Sequence, residues 1–141
     1  DEPNYLAAVW LPKGGQRFEA NTCGLAYADL STGDFAATTL DFASLLNELD
    51  RLRPSELLVQ GRTERPAGGF AERVADVPPP LLDAYACTPL PDAGFDPRAT
   101  SPMLKALLAV ETLEGFGLDG SPALLAACGA VAYYVRHSFL E

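Results

Sequence analysis

The chain is short of positive charge. Its 141 residues carry 10 Lys and Arg against 19 Asp and Glu, a net of −9. A domain that grips nucleic acid with its own surface needs a basic stripe, because phosphate contacts supply most of the non-specific affinity. The deficit is even: residues 1–70 hold 6 basic and 10 acidic side chains, and residues 71–141 hold 4 and 9, so neither half hides a basic arm. Cysteine is scarce as well. Cys23, Cys87 and Cys128 are widely spaced, no CxxC occurs, and His137 is the single histidine. That set excludes a structural zinc site and leaves the thiols as reduced, buried, small apolar residues. No apolar run approaches the roughly 18 residues of a membrane span. Asp1-Glu2-Pro3-Asn4 lacks the basic start of a signal peptide, so a cytoplasmic setting is expected. The missing Met, and a helical pattern that runs to the end at Glu141, suggest that residues 1–141 are one domain of a longer, multidomain chain. The length and the 48% hydrophobic share permit a packed core without disulfides or metal.

The pattern of elements comes next. Tyr5 to Leu11 is almost wholly apolar, as in a strand buried on both faces. Cys23 to Leu30 and Phe35 to Leu40 are two more strands, joined at Ser31-Thr32-Gly33-Asp34, where Gly33 can take the positive φ of a tight hairpin. Phe42, Leu45, Leu46, Leu49 and Leu52 form one helical stripe behind Asp41 as N-cap, and Pro54 ends that helix. Glu56 to Gln60 is a fourth strand; the helix before it is long enough for a crossover, so it can lie parallel to the first. Gly69 to Asp76 reads as a short helix, Leu81 to Ala86 as a fifth strand, and Thr88 to Thr100 as a proline-rich loop. Ser101-Pro102 and Ser121-Pro122 each set Ser at N-cap and Pro at the first helical position. The helices behind them run to about Thr112 and to Phe139, with Glu114 to Gly120 as the break. The second has Leu124, Cys128, Val131 and Val135 on one face, and small residues at Ala126, Ala127, Gly129 and Ala130. The order β-β-β-α-β-(α)-β-α-α implies an α/β fold of three layers: a mixed five-stranded sheet with helices on both faces, in the ribonuclease-H-like order.

Catalytic chemistry finds little support. A metal-dependent nuclease of that fold needs carboxylates converging on two cations, with one on the first strand. Tyr5 to Leu11 has no acid, while Asp29 and Asp34 flank a turn, where Asp is common for local reasons. Asp29, Asp34 and Asp41 remain the acids of the alternative reading, a residual nuclease. His137 sits in the last turn of a helix, where a positive charge is favourable, and no GxSxG accompanies it. Gly115, Gly117 and Gly120 follow a helix and lack the Gly-Lys-Ser/Thr of a P-loop. Arg51, Arg53, Arg62 and Arg65 are the only basic cluster, suited first to solvent and otherwise to a phosphate or an acidic partner. An acidic protein-binding domain of other ancestry is a further alternative.

Several blocks resemble one known family. Gly24-Leu25-Ala26-Tyr27-Ala28-Asp29-Leu30-Ser31-Thr32-Gly33-Asp34-Phe35 is similar to the G-x-A-x-x-D-x-S-T-G-x-F stretch in the connector domain of the MutS DNA mismatch repair proteins. Asn4 to Val9 resembles that domain's first strand. Glu48-Leu49, Arg51-Leu52 and Pro54-Ser55-Glu56-Leu57-Leu58 resemble its EL-x-RL-x-P-x-E-LL segment. Leu113 to Leu118, with Pro122, Ala126-Ala127, Gly129-Ala130 and Tyr134, resembles its LEGFGL stretch and the helix behind it. The resemblance spans residues 4–140 and is weakest over 61–100. It implies a ribonuclease-H-like connector without catalytic carboxylates, which links mismatch-binding, lever and ATPase domains and helps to dock MutL. In the family an earlier domain reads the mismatch through Phe-x-Glu and a later one binds ATP and magnesium. This chain is accordingly expected to hold no cofactor or metal, to hydrolyse no ATP and to make little direct DNA contact. Ser138-Phe139 departs from the family's usual Thr-Gln, which bears on the exit toward the lever. The exposed positions Ser31, Thr32, Asp34, Arg51, Arg53 and Arg62 are the candidates for partner contact, with the 88–100 loop as another.

Overall fold

The structure, a computed structural model, describes residues 3–12, 23–65, 67–69, 73–109 and 121–139. Its main sheet has five strands in the order β3-β2-β1-β4-β7. Strand β1 (Tyr5–Trp10) pairs antiparallel with β2 (Cys23–Asp29), which pairs antiparallel with β3 (Phe35–Leu40). On the other side β1 pairs parallel with β4 (Glu56–Gln60), and β4 parallel with β7 (Cys87–Leu90). A second, two-stranded sheet joins β5 (Arg62–Glu64) to β6 (Arg73–Ala75). Helix α1 (Phe42–Leu52) is the crossover from β3 to β4 that the spacing requires. The remaining helices are α2 (Pro79–Leu82), α3 (Pro97–Leu108) and α4 (Pro122–Phe139), with a 3₁₀ turn at Asp92–Phe95.

The continuous apolar run of β1 fits its place at the centre of the sheet. Leu6 and Ala8 point to one face, Ala7 and Val9 to the other, and all four are buried. The first face meets Leu104 of α3, Phe95, and Ala126, Ala127, Ala130 and Val131 of α4. The second meets Leu45, Leu49 and Leu52 of α1, with Leu81 of α2 and Val77. Two cores therefore flank one sheet, with helices on both sides, and the mixed five-stranded α/β arrangement is as expected. The small-residue stretch of α4 is what brings it close. A Cβ added to Gly24 of β2 would fall 2.1 Å from the Ala123 carbonyl oxygen, and one added to Gly129 would fall 2.1 Å from Thr100 Oγ1 of α3.

Helix ends follow local chemistry. The Asp41 carboxylate accepts from Ser44 N–H at 2.6 Å, which holds that carboxyl below its usual range. At the other end Arg53 takes a left-handed conformation (φ 48°), and its N–H donates to Leu49 O. The helix ends just before Pro54, as expected, through an αL cap. Ser121 Oγ accepts from Leu124 N–H at 3.2 Å, the cap expected for α4.

The 61–100 region departs from the sequence reading. Residues 73–75 form β6, not a helix. Leu81 belongs to α2, and the fifth strand of the sheet begins six residues later, at Cys87. Pro78-Pro79-Pro80 accounts for the shift, because proline is well placed in a first helical turn and cannot donate within a ladder. The expected 88–100 loop is built from β7, the 3₁₀ turn and the start of α3, with Leu90, Gly94, Phe95 and Thr100 buried. Helix α3 starts at Pro97, with the Asp96 carboxylate accepting from Arg98 N–H at 3.0 Å. Asp96-Pro97 carries the same cap-then-proline grammar as Ser101-Pro102 one turn earlier, and the earlier pair wins; Pro102 lies inside the helix. The C-terminal end at Ala109 also precedes the expected Thr112, and the break over 114–120 lies outside the described residues.

The thiols match the expected state at two positions: Cys23 and Cys128 are buried, Cys87 is half-buried, and none of the three forms a disulfide. Burial raises the Cys87 thiol and pushes Cys128 up to about 12. Few thiolates are then available at pH 8. A thiol-reactive dye should label the native chain slowly at Cys128 and quickly only after unfolding in guanidinium. Rapid native labelling of all the thiols would contradict this packing.

Candidate interaction surface

The residues singled out by sequence fall at two opposite ends of the sheet. The register sets Tyr5 opposite Asp29 and Leu6 beside Glu56. The hairpin tip, the start of β1, the end of α1 and the start of β4 therefore share one end. Ser31, Thr32, Asp34, Arg51 and Arg53 lie there. Arg62 follows β4 and lies at the other end. The arginine cluster is thus split.

The first end is organised around Asp29, one of two buried polar residues among those described. Its carboxylate accepts from Ser31 Oγ at 2.6 Å, Ser31 N–H at 2.9 Å and Asn4 N–H at 3.4 Å. These bonds, that of the Ser31 hydroxyl first, hold its pKa below the ordinary carboxylate range. Leu30 N–H donates to Asn4 O at 2.8 Å, and Ser55 Oγ donates to Asn4 Oδ1 at 2.8 Å. Gly33, at φ 83°, closes the turn, and its N–H donates to Asp29 O at 2.7 Å. The D-x-S-T-G pattern is therefore a folded tip tied to β1 and β4. Leu30 stands 46% exposed beside it. Arg51 is hydrogen-bonded to Glu48 one turn back, and Arg53 lies 3.5 Å from Asp50, so neither is a bare cation. Exposed pairs of this kind contribute about 0–1 kcal/mol, so their positions matter more than their stability.

Asp29 also gives a pH signature. Its folded pKa is depressed, as are those of Asp41, Glu48 and Asp96. A depressed carboxyl stabilises fully above its unfolded value near pH 4, and that stability is lost as pH falls through the folded value. Stability should therefore hold from pH 7 to about 5 and fall below about 4. Asp29→Asn should be less stable at pH 7 and lose less between pH 4 and 2. Parallel acid-unfolding curves for the two proteins would refute the assignment.

Glu56, which was not singled out by sequence, ties three elements together. It is half-buried at the start of β4 and accepts from the Thr88 hydroxyl of β7 and, at 2.9 Å, from the Tyr134 hydroxyl of α4. Burial, then this bond, raises the Tyr134 phenol. A lone acid opening the apolar strand Glu56-Leu57-Leu58-Val59 was the available signal, since a charge at the mouth of a buried strand needs partners.

At the other end a crevice of about 830 Å³ opens beyond β1 and β4, lined by Val9, Leu11, Val59, Gln60, Arg62 and Asp92 among others. Gln60 Nε2 donates to Asp92 Oδ1 at 2.9 Å, and Arg62 reaches Asp76 at 3.0 Å and Glu64 at 3.8 Å. Of the acids suspected of nuclease chemistry, Asp29 and Asp34 share the hairpin, where Asp29 N–H donates to the Asp34 carbonyl at 2.8 Å, but Asp41 does not join them. Asp29 ends β2 beside Phe35's end of β3, while Asp41 follows Leu40 at the far end, a strand length of roughly 17–20 Å away. No group of three potential metal ligands occurs among the described residues.

Residues 4–138 match the family model described as MutS domain II. The chain belongs to that family. Three curated relatives, each a DNA mismatch repair protein MutS, agree. The protein from Syntrophobacter fumaroxidans is 36% identical over 99% of this chain, that from Thermosynechococcus vestitus 39% over 92%, and that from Nostoc punctiforme 38% over 98%. The chain spans about one-seventh of their length, at 14–15%. This membership overrides the reading as an unrelated acidic domain. The part of domain II that carries the hairpin and the Pro-x-Glu-Leu-Leu segment is also the part in which Asp29, Asn4, Ser55 and Glu56 bond. The Phe-x-Glu triplet does not separate domain II from a mismatch reader, because Phe70-Ala71-Glu72 and Phe139-Leu140-Glu141 both spell it. Those stretches fall wholly or partly outside the described residues. Among the described residues no helix is long and apolar enough to cross a membrane.

Proposed function

We propose that the chain is the non-catalytic connector of a cytoplasmic MutS protein, with a ribonuclease-H-like fold, that relays rigid-body movement between its neighbouring domains and offers a docking surface to MutL. The observation that carries this reading is the match to MutS domain II over residues 4–138. Two structural features support it. The sheet order β3-β2-β1-β4-β7 suits the fold, while its central strand has no acid. The base of the hairpin at Asp29 and the turn between α1 and β4 at Ser55 are both bonded to the start of β1, so force on one is passed to the other as a rigid unit. Mismatch recognition, ATP and magnesium would belong to the rest of the parent protein.

Docking is tested in full-length MutS carrying this domain. Charge reversal at Asp34 and Arg53 together, and separately at Arg62, leaves the buried bonds in place. MutL association is then measured on mismatched DNA with ATP. The paired change is expected to weaken association about tenfold with ATP hydrolysis retained. Unchanged association for the paired change and loss for Arg62→Glu would move the surface to the crevice end. No effect from either would remove docking from these residues.

A further inference from the structure

Among the described residues the outer edge of β3 has no pairing strand. Strand β3 is the last in its sheet, paired with β2 on one side only. Its register with β2 runs unbroken from Phe35 opposite Ala28 to Leu40 opposite Cys23, without a bulge. Phe35-Ala36-Ala37-Thr38-Thr39-Leu40 contains no charge, proline or glycine. Exposed edges normally carry one of these devices, or a cover, because unpaired backbone N–H and C=O groups template further strands. No strand among the described residues pairs with this edge. Thr38 is exposed, and its hydroxyl leans on the Thr39 carbonyl at 3.3 Å.

Charge decides what such an edge would accept. Asp34 and Asp41 bracket the strand, seven positions and roughly 23 Å apart. Antiparallel pairing of two copies would set Asp34 of each near Asp41 of the other, which is repulsive, within a chain already at −9. Self-association is therefore disfavoured, and a strand with basic residues at both ends is complementary. We propose that the β3 edge binds an extended segment of a partner protein, flanked by Lys or Arg, which adds as a sixth strand. The backbone ladder supplies affinity, and the two carboxylates select charge. The inference rests on the edge and its acids, not on the MutL reading.

The test uses full-length MutS carrying this domain and a labelled peptide, acetyl-Lys-Arg-Thr-Val-Thr-Val-Thr-Val-Arg-Lys-amide. Two control peptides replace its basic residues with Glu, or carry N-methyl groups on alternate residues. The basic peptide should bind saturably, and both controls about tenfold more weakly or worse. Thr38→Lys should weaken binding at least as much, and Asp34→Asn with Asp41→Asn about threefold or more, since Asn keeps the helix cap. Equal binding of the N-methylated peptide would overturn strand addition. Equal binding of the Glu-flanked peptide would overturn the charge argument. Absence of saturable binding would overturn the site. MutL association of Thr38→Lys, read in parallel, separates this edge from the hairpin end: a failure of one leaves the other standing.

Discussion

Gly24→Ala is expected to lower the stability of the domain by about 3 kcal/mol or more, a large part of the roughly 5–15 kcal/mol that such a domain has. The added methyl would sit 2.1 Å from the Ala123 carbonyl oxygen and 2.7 Å from its carbon. Those are backbone atoms of the first turn of α4, so no rotamer change relieves the contact. Either the strand or the whole helix must move. Gly24 cannot move freely, because it is held between Trp10 of β1 and Thr39 of β3 in the ladder. The helix cannot lift without opening the core formed by Ala126, Ala127 and Val131. Thermal unfolding should show the melting temperature down by about 10 °C or more. Gly33→Ala is the matched control. Its methyl meets nothing within 4 Å, and only the φ of +83° opposes it, at a cost of about 1–2 kcal/mol. If the two variants lose equal stability, the close approach of α4 to β2 is not what Gly24 serves.

Legibility in the sequence followed the strength of local signals. Strands β1 to β4 and α1 were readable because each has one dominant pattern: a continuous apolar run, a hairpin with Gly33, or a stripe from Phe42 to Leu52 closed by Asp41 and Pro54. Helix α4 was readable from Ser121-Pro122 for the same reason. Its buried side proved wider than the Leu124–Cys128–Val131–Val135 face, since every residue from Ala126 to Ala132 is buried. Between 61 and 100 the proline content misled, because proline suits loops, first helical turns and strand edges alike. Here it takes all three roles: Pro91 precedes the 3₁₀ turn, Pro79 and Pro97 start helices, and Pro89 lies within the edge strand β7. The acids at the candidate surface were visible as residues, but not their partners. Asp29 and Asn4 are 25 positions apart, and Glu56 and Tyr134 are 78 apart. Only the strand register brings the first pair together, and only the docking of α4 the second. The split of Arg51 and Arg53 from Arg62 has the same origin, because β4 carries the chain from one end of the sheet to the other.

Gly129 and Thr100 should behave as one unit in a double-mutant cycle. A Cβ on Gly129 would meet Thr100 Oγ1 at 2.1 Å and Thr100 Cβ at 2.8 Å, where α3 crosses α4. Two effects oppose each other in Gly129→Ala. Alanine gains about 1 kcal/mol over glycine in a helix interior. Against that stands a collision with a Cβ atom, which side-chain rotation cannot remove. The collision wins, and the single change should cost about 2 kcal/mol net. Thr100→Gly removes the obstructing Cβ, but it also deletes the hydroxyl that donates to Asp96 O at 3.1 Å and adds glycine to α3, a loss of about 2 kcal/mol. Combined, the two should cost no more than Thr100→Gly alone, a coupling of about 2–3 kcal/mol in urea unfolding. Thr100→Ser keeps both colliding atoms and should give no rescue of Gly129→Ala. Strict additivity would mean that α3 and α4 yield to the methyl by separating, and the small-residue face of α4 would then not set the spacing of the helices. Rescue by Thr100→Gly and none by Thr100→Ser places the constraint on the Thr100 Cβ and Oγ1 atoms at one crossing point. This crossing helps hold α4 against the sheet, where Tyr134 reaches Glu56.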